Sequence, residues 1–168
     1  MWVRQGRLTE AFAWVREQNL SPDDELSFMR EFEHFTLARA LIARYKTDQA
    51  PGDFKAALNL MARLLQAAES GGRMGSVIET LVVQALALQT QGNVSQALAS
   101  VERALALAEP EGYVRIFVDE GEPMQLLLEK QSRSQDKTIS GYVDKLLAAF
   151  AQPTAVPQPK THDLQSII

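Results

Sequence analysis

The sequence predicts an all-α fold, a right-handed superhelix of antiparallel helical hairpins closed by a C-terminal capping helix. Residues 92–112 (GNVSQALASVERALALAEPEG) repeat the pattern of residues 52–72 (GDFKAALNLMARLLQAAESGG), in register at an offset of 40. Residues 6–15 (GRLTEAFAWV) form a third, partial copy. Apolar residues recur at helical spacing between the turns. A unit that repeats every roughly 20–50 residues is typical of a helical repeat array.

The composition fits one ordinary globular domain. At 168 residues the chain is long enough for a hydrophobic core. It contains no cysteine, which excludes disulfides and thiolate metal sites and fits a reducing compartment. A net charge of −4 argues against direct contact with nucleic acid. No apolar run could span a bilayer and no signal-peptide pattern opens the chain, so we expect a cytoplasmic location and no membrane partner.

Turn residues divide the first half into helices. Gly6 precedes a helix over 8–18, whose apolar residues share one face. Ser21 and Pro22 give a helix-start signal before a long helix at 26–46. The loop 47–52 ends that helix, and Asp53 is the expected N-cap of a helix over 53–69.

The second half repeats this hairpin and then departs from it. A helix is predicted over 73–91, and Asn93 is expected to cap the next one, which runs to residue 109. Short helices at 113–119 and 122–128 are separated by Gly121. A polar stretch precedes the last helix, at 139–150, which we expect to cap the open end of the array. Residues 1–151 therefore form the repeat domain, and 152–168, with three prolines, form a linker.

Each hairpin pairs a long first helix with a second helix that opens after a glycine. The second helices align at an offset of 40, whereas the first helices align at 45, with Ala40-Leu41 falling on Ala85-Leu86. We attribute the difference to a longer loop at residues 47–52.

Hairpins with an alanine near the opening of the second helix resemble tetratricopeptide repeats. The signature Trp and Tyr of the first helix are absent, and Leu81 and Leu88 occupy those positions. Residues 11–43 (AFAWVREQNLSPDDELSFMREFEHFTLARALIA) and 106–128 (ALAEPEGYVRIFVDEGEPMQLLL) are similar to the tetratricopeptide-like region of the MalT-like, large ATP-dependent regulators of the LuxR superfamily. The phrase EPEGYVRIFVDEGEPM is the most specific part, and the resemblance covers nearly the whole chain.

The resemblance implies a segment of a transcription activator, with an ATP-binding domain upstream and a helix-turn-helix domain after the linker. The chain has no Gly-x-x-x-x-Gly-Lys-Ser/Thr loop, so ATP is implied only for the full-length protein. The repeats would be the sensor that receives an inducer small molecule or a regulatory protein. The alternative is a general tetratricopeptide scaffold that binds a partner peptide or helix. Self-association through an apolar face near Met1 is a further expectation. The sequence contains no catalytic constellation, so we do not expect an enzyme.

In tetratricopeptide arrays the first helix of each hairpin lines the concave face, and binding uses fixed positions on it. Carried over by the alignment above, those positions include apolar residues, Thr90 and five further polar residues. We expect these five to form a ligand-binding groove: His34, Arg44, Tyr45, Glu79 and Gln89. They suit a peptide or a polar small molecule. The alternative is that the ligand site lies on repeats outside this segment.

Other candidate sites have simpler interpretations. His34 with Glu31 and Glu33 is read as a solvated face, not a metal site. Phe28, Phe32 and Phe35 could form an aromatic cage, but their spacing favours a core stripe.

The remaining polar candidates also favour structural roles. Asp119, Glu120 and Glu122 could serve acid–base chemistry, but acids at a helix break more simply stabilise the next helix N-terminus. Arg39, Arg44 and Arg63 could hold an anion, but exposed arginines on helices are usually solvated. The sequence therefore predicts no catalytic and no metal-binding residues.

Overall fold

The fold is an all-α stack of helical hairpins, as a computed structural model shows for residues 3–133 and 137–151. The proposed linker at 152–168 lies outside the described residues. Short 3₁₀ segments at Val3–Gln5 and Phe28–Arg30 accompany the α-helices. The α-helices are α1 (Leu8–Glu17), α2 (Glu31–Asp48), α3 (Pro51–Ser70), α4 (Met74–Thr90), α5 (Val94–Ala108), α6 (Arg115–Val118), α7 (Glu122–Ser132) and α8 (Lys137–Phe150).

The turns between helices explain where most of them end. Gly72 and Gly92 have positive φ values of 65° and 85°, which L side chains rarely adopt. Beyond them, the amides of Arg73 and Asn93 reach back to carbonyls five residues earlier, as in a Schellman C-cap. The Asn93 side chain then accepts a hydrogen bond from the Gln96 amide, which confirms it as the N-cap of α5.

Two predicted helix starts differ in the structure. α3 begins at Pro51 after Ala50, and Asp53 lies inside its first turn rather than at the cap. The α2–α3 connection therefore consists of Gln49 and Ala50, much shorter than the predicted loop at 47–52. Ser21 and Pro22 do not start a helix either, because the Ser21 amide and hydroxyl bond to Asp24 and Asp23 in a turn.

Successive hairpins, α2–α3 and α4–α5, pack through α3 and α4 around two apolar clusters. The N-terminal cluster joins α1, α2 and α3 to one side of α4. The C-terminal cluster joins α4 and α5 to α6, α7 and α8, with Phe117 fully buried within it. α8 contacts α5, α6 and α7, which confirms the expected capping helix.

Tyr142 joins the capping helix α8 to the segment around α6 through two contacts. Its hydroxyl donates to the carbonyl of Tyr113, and its ring meets Phe117 edge-on with centroids 6.3 Å apart. Burial, with a smaller contribution from Glu109, raises the pKa of Tyr142 to about 12. The phenol therefore stays a protonated donor throughout the ordinary pH range.

The core stripe predicted at the start of the 26–46 helix, which the structure divides into the 3₁₀ segment Phe28–Arg30 and α2, is wrong for two of its three members. Phe35 is buried, but Phe28 is 68% exposed and Phe32 is 75% exposed. The helical spacing is present, but the described residues leave both of these rings largely open to solvent. A stripe at core spacing becomes a core only where a neighbouring element covers it.

Candidate ligand-binding groove

A groove runs between α2 and α4, the first helices of successive hairpins. We call it the α2–α4 groove. Three cavities make it up. The central one, of about 450 Å³, shares Phe32, Phe35 and Glu79 with a cavity of about 210 Å³ on one side, and Val3 and Arg39 with another of about 210 Å³ on the other side. The end of the groove farthest from the start of α2 is lined by Ala43 and Lys46 from α2 and by Val83, Leu86 and Thr90 from α4. The groove therefore combines apolar lining residues with charged side chains from both α2 and α4.

Arg39 is the central charge of this groove. Its guanidinium forms two hydrogen bonds to the Glu120 carboxylate, of 3.0 and 2.6 Å, across 81 residues of sequence. It also lies 5.0 Å from the Phe35 ring centroid, close enough for a cation–π contact. Side-chain exposures of 17% for Arg39 and 7% for Glu120 show that the pair is largely shielded from water. A bidentate pair of this kind holds one geometry.

Glu79 lies on the opposite wall, and its carboxylate is 3.8 Å from Arg39. Its side chain is 47% exposed, so it faces the groove rather than the core. Arg39 therefore stands between two carboxylates, those of Glu79 and Glu120. The formal charges of these three groups sum to −1.

The end of the groove nearest the start of α2 forms a small cup, which we call the N-terminal cup. It is the cavity of about 210 Å³ that Phe32, Phe35 and Leu64 line together with polar residues. The polar lining consists of two carboxylates and two hydroxyls, from Glu31, Glu79, Ser76 and Thr80. The Glu31 carboxylate accepts hydrogen bonds of 3.0 and 2.6 Å from Arg73.

Of the five predicted ligand-binding residues, Glu79 lines the cavities of the groove. Gln89 is half-buried on α4 and precedes Thr90, which does line it. The structure thus brings one predicted residue into the groove and places another one position away from it.

His34 lies elsewhere, fully buried beneath the loop at residues 18–27. Its Nδ1 is 3.0 Å from the Arg30 carbonyl oxygen, and its Nε2 is 3.3 Å from Oδ2 of Asp24. The same carboxylate accepts a hydrogen bond from the Ser21 amide, the main reason why the pKa of Asp24 lies below its ordinary value. His34 therefore anchors this loop and does not line the groove.

Arg44 and Tyr45 also point away from the groove, toward α1 and α3. Arg44 donates hydrogen bonds of 2.5 and 2.6 Å to Asp53 and lies 4.1 Å from the Phe12 ring centroid. The bond to Asp53 raises the pKa of Arg44 above its ordinary value. Tyr45 packs on Phe54, with ring centroids 4.8 Å apart. Both residues join α2 to its neighbours.

The placement on α2 failed because the assumed loop insertion does not exist. Removing a long 47–52 loop shifted the expected positions along α2, whereas the observed connection has two residues. Each residue turns a helix by about 100°. The offset of 45, in place of 40, shifted the expected positions by five residues, which amounts to a rotation of about 140°. The groove residues of α2 include Phe35, Arg39, Ala43 and Lys46, which are spaced three or four apart.

Most of the arginines and acids singled out in the sequence form ion pairs or hydrogen bonds within the chain. Arg63 donates to the carbonyls of Pro22 and Asp24, so it holds the 18–27 loop and is not simply solvated. Asp119 pairs with Arg115 at 2.9 Å within one helical turn. Among the described residues, no group of three His, Asp or Glu side chains could hold a metal ion. The Arg39–Glu120 contact carries no signal in the sequence, because 81 residues separate its partners.

Comparison with known proteins gives one match. The family model described as the MalT-like TPR region matches residues 1–134. No curated protein and no solved structure matches the chain. None of the helices in 3–133 and 137–151 combines the length and hydropathy that crossing a membrane requires.

Proposed function

The chain belongs to the MalT-like TPR region family, and we propose that it is the sensor and protein-interaction segment of a MalT-like transcription activator of the LuxR superfamily. In this proposal an inducer small molecule or a regulatory protein binds the α2–α4 groove and controls DNA binding by the full-length protein in the cytoplasm. The segment itself is not an enzyme and does not touch DNA. ATP binding and DNA binding belong to other domains.

One observation carries the proposal: within a family-matched repeat region, an open groove is lined by both apolar and charged side chains. Val83 and Leu86 give apolar contact area, while Arg39, Lys46 and Glu79 supply donors and acceptors. Ligand sites typically combine an apolar lining with a few placed polar groups. Of the five residues predicted from sequence, we propose Glu79 for direct ligand contact. His34, Arg44 and Tyr45 support the walls, and Gln89 adjoins the wall residue Thr90.

The mechanism we propose is a shift in population. A ligand that spans α2 and α4 favours one spacing of the two hairpins over others, by as much as its affinity differs between them. Glu120 lies at the α6–α7 turn. A displacement of Arg39 would therefore also displace this turn, where the C-terminal helices begin. Those helices precede the linker predicted to lead to the DNA-binding domain.

A thermal-shift screen tests this proposal. The chain is melted with sugars, amino acids, nucleotides and short peptides, since a ligand of the folded state raises the melting temperature. We expect a hit that disappears in Ala43→Phe, which fills the groove. Ala62→Phe, on the exposed surface of α3, is the matched control and should keep the hit. A screen with no hit on folded protein, or a hit that survives Ala43→Phe, would contradict groove binding.

A further inference from the structure

The end of the α2–α4 groove farthest from the start of α2 is a cavity of about 210 Å³, which we call the Lys46 pocket. Separate parts of the chain line it: Val3, helices α2 and α4, and the residues Glu120 and Pro123 near the start of α7. A small molecule in this pocket therefore meets walls from several elements, which the surface of a single helix does not offer.

Apolar side chains form most of the pocket lining. A hydrocarbon group that leaves water for such a lining gains free energy in proportion to the apolar area that it buries. At roughly 30 Å³ for a group the size of one water molecule, the pocket holds a short chain or a single ring. The apolar lining residues are Val3, Ile42, Ala43, Val83, Leu86 and Pro123.

The charged residues of the pocket favour an anion. Arg39, Lys46 and Glu120 line it, and their formal charges sum to +1. Glu120 accepts two hydrogen bonds from Arg39, so these two charges compensate each other. Lys46 is exposed, and its ammonium forms no ion pair with any residue of the described ranges 3–133 and 137–151. The surplus positive charge therefore belongs to Lys46, whose flexible stem lets the ammonium follow a bound anion.

The other two cavities of the groove lack this excess of positive charge. The N-terminal cup is lined by Glu31 and Glu79 without a lysine or an arginine. The central cavity is lined by Arg39 and Glu79, one charge of each sign. Of the three cavities, the Lys46 pocket is thus the one whose described lining has more cations than carboxylates, and complementary charge favours an anion there.

The same lining disfavours sugars and phosphate esters. The Thr90 hydroxyl donates to the Leu86 carbonyl, so it can only accept a hydrogen bond from a ligand. A sugar would leave several hydroxyls against apolar side chains without partners, which costs free energy. A phosphate ester carries a charge of roughly −1.5 to −2 near neutral pH, more than one lysine compensates. One carboxylate on a hydrocarbon body fits both the apolar lining and the single surplus charge.

We propose that the Lys46 pocket binds a small amphipathic carboxylate. Its hydrocarbon body packs between Ala43 and Leu86, and its carboxylate accepts hydrogen bonds from the Lys46 ammonium. A ligand bound in this way contacts α2, α4 and the α6–α7 turn together, so it favours one spacing of these elements. This inference rests on the proposed function, because it names the class of ligand that the groove receives.

Titration of the chain with hexanoate and with benzoate, followed by amide NMR spectra, tests the inference. We expect saturable binding with the largest shifts at pocket residues such as Ala43 and Leu86. Hexanol and hexylamine, which lack the negative charge, should bind more weakly. The affinity for benzoate should fall about fivefold in Lys46→Met, because the charge is lost while the apolar stem stays. Lys55→Met makes the same change on the exposed surface of α3 and should leave the affinity unchanged.

Further variants separate the charge contact from the shape of the pocket. Lys46→Arg keeps the charge and should retain binding. Ala43→Phe fills the pocket and should abolish binding, whereas Ala62→Phe on the exposed surface of α3 should not. Added salt should weaken binding to the unchanged chain more than binding to Lys46→Met. Circular dichroism melts show whether each variant is folded before its affinity is compared.

The outcomes distinguish this inference from the proposed function. Equal affinities for hexanoate and hexylamine would overturn the inference, as would carboxylate binding that ignores Lys46 but is lost in Ala43→Phe, and both results leave groove binding in place. Absence of carboxylate binding, beside a sugar or peptide hit in the thermal screen that Ala43→Phe removes, would do the same. Failure of both the titration and the screen would overturn both proposals.

Discussion

Helices α2 and α4 occupy the same place in successive hairpins, but different interactions hold them. α4 contains one charged residue, Glu79, and nine of its 17 residues are buried. In α2 seven of 18 residues are buried, and Glu31, Arg39 and Arg44 each form ion pairs with other parts of the chain. α4 is thus held mainly by apolar burial and α2 by a mixture of burial and directional polar contacts.

The difference shows what each helix can contribute to a binding surface. A buried apolar helix resists rotation because its volume must fit. A helix held by ion pairs has an orientation set by a few distances, and a charged ligand can compete for those partners. We therefore expect the α2 side of the groove to respond to ligand, salt and pH more than the α4 side.

The largest expected effect is in the apolar cluster on which α4 packs. Phe117→Ala should lower the free energy of unfolding by about 4 kcal/mol, since it removes a fully buried ring and leaves a cavity. Urea titration followed by circular dichroism measures it. Phe32→Ala, at an exposed site on α2, should change stability by no more than about 0.5 kcal/mol. Equal losses in the two variants would mean that Phe32 is covered in solution.

The next effect concerns the polar attachment of α2. Arg39→Met should cost about 3 kcal/mol in urea titrations, because it leaves the Glu120 carboxylate largely buried beside one partner fewer. Adding Glu120→Gln should recover part of the loss. Arg103→Met is the control, since its ion pair with Glu69 is exposed and contributes at most about 1 kcal/mol. A loss in Arg39→Met no larger than in this control would refute the assigned role.

Two substitutions at the N-caps of α5 and α3 should change the free energy of unfolding by smaller amounts and in opposite directions. Asn93→Ala removes the side-chain acceptor at the start of α5 and should cost about 1 kcal/mol. Ala50, the residue before α3, has no side-chain cap, so Ala50→Ser should gain about 0.5 kcal/mol. Thermal melts of both variants measure the changes. A destabilising Ala50→Ser would show that the backbone there cannot accept a capping hydroxyl.

The smallest expected effect is the pH dependence of the loop that His34 anchors. The pKa of Asp24 lies below its ordinary value of 3.8, chiefly because the Ser21 amide donates to it, and then because of His34. Its contribution to stability is therefore present above pH 3.8 and is lost as the pH falls through the lower, folded-state value. Between pH 7 and pH 2 the melting temperature should fall less in Asp24→Asn than in the unchanged chain.

Asp23→Asn is the matched control for this pH effect, because it removes the adjacent exposed carboxylate of the same loop. It should leave the fall in melting temperature nearly as in the unchanged chain. The same reduction in both variants would mean that the contact with the Ser21 amide does not form in solution.

The sequence allowed most of the fold to be predicted, because local signals determine it. The offset of 40 between α3 and α5 places Ala57 and Ala97 at matching buried sites, and Asn93 caps α5 as its residue type favours. The capping role of α8 followed from its apolar face at the end of an array. These features depend on residues close in sequence or on a repeat that can be counted.

Contacts between distant residues could not be predicted in this way. Nothing in the sequence near Arg39 or Glu120 indicates a partner 81 residues away. The exposure of Phe28 and Phe32 depends on which element covers them, and helical spacing does not record it. The groove face of α2 depended on the length of one connection, which residue types such as Pro51 and Gly52 left ambiguous.

The Arg39–Glu120 contact has a mechanical consequence for the whole stack. In a repeat array whose units touch only adjacent units, terminal units can fray one at a time. Here α2 is joined directly to the α6–α7 turn, on the far side of α4. This is a next-nearest-neighbour coupling, and it makes loss of the first hairpin costly for the last one. The contact should therefore raise the cooperativity of unfolding and limit how far the two ends of the superhelix can move apart.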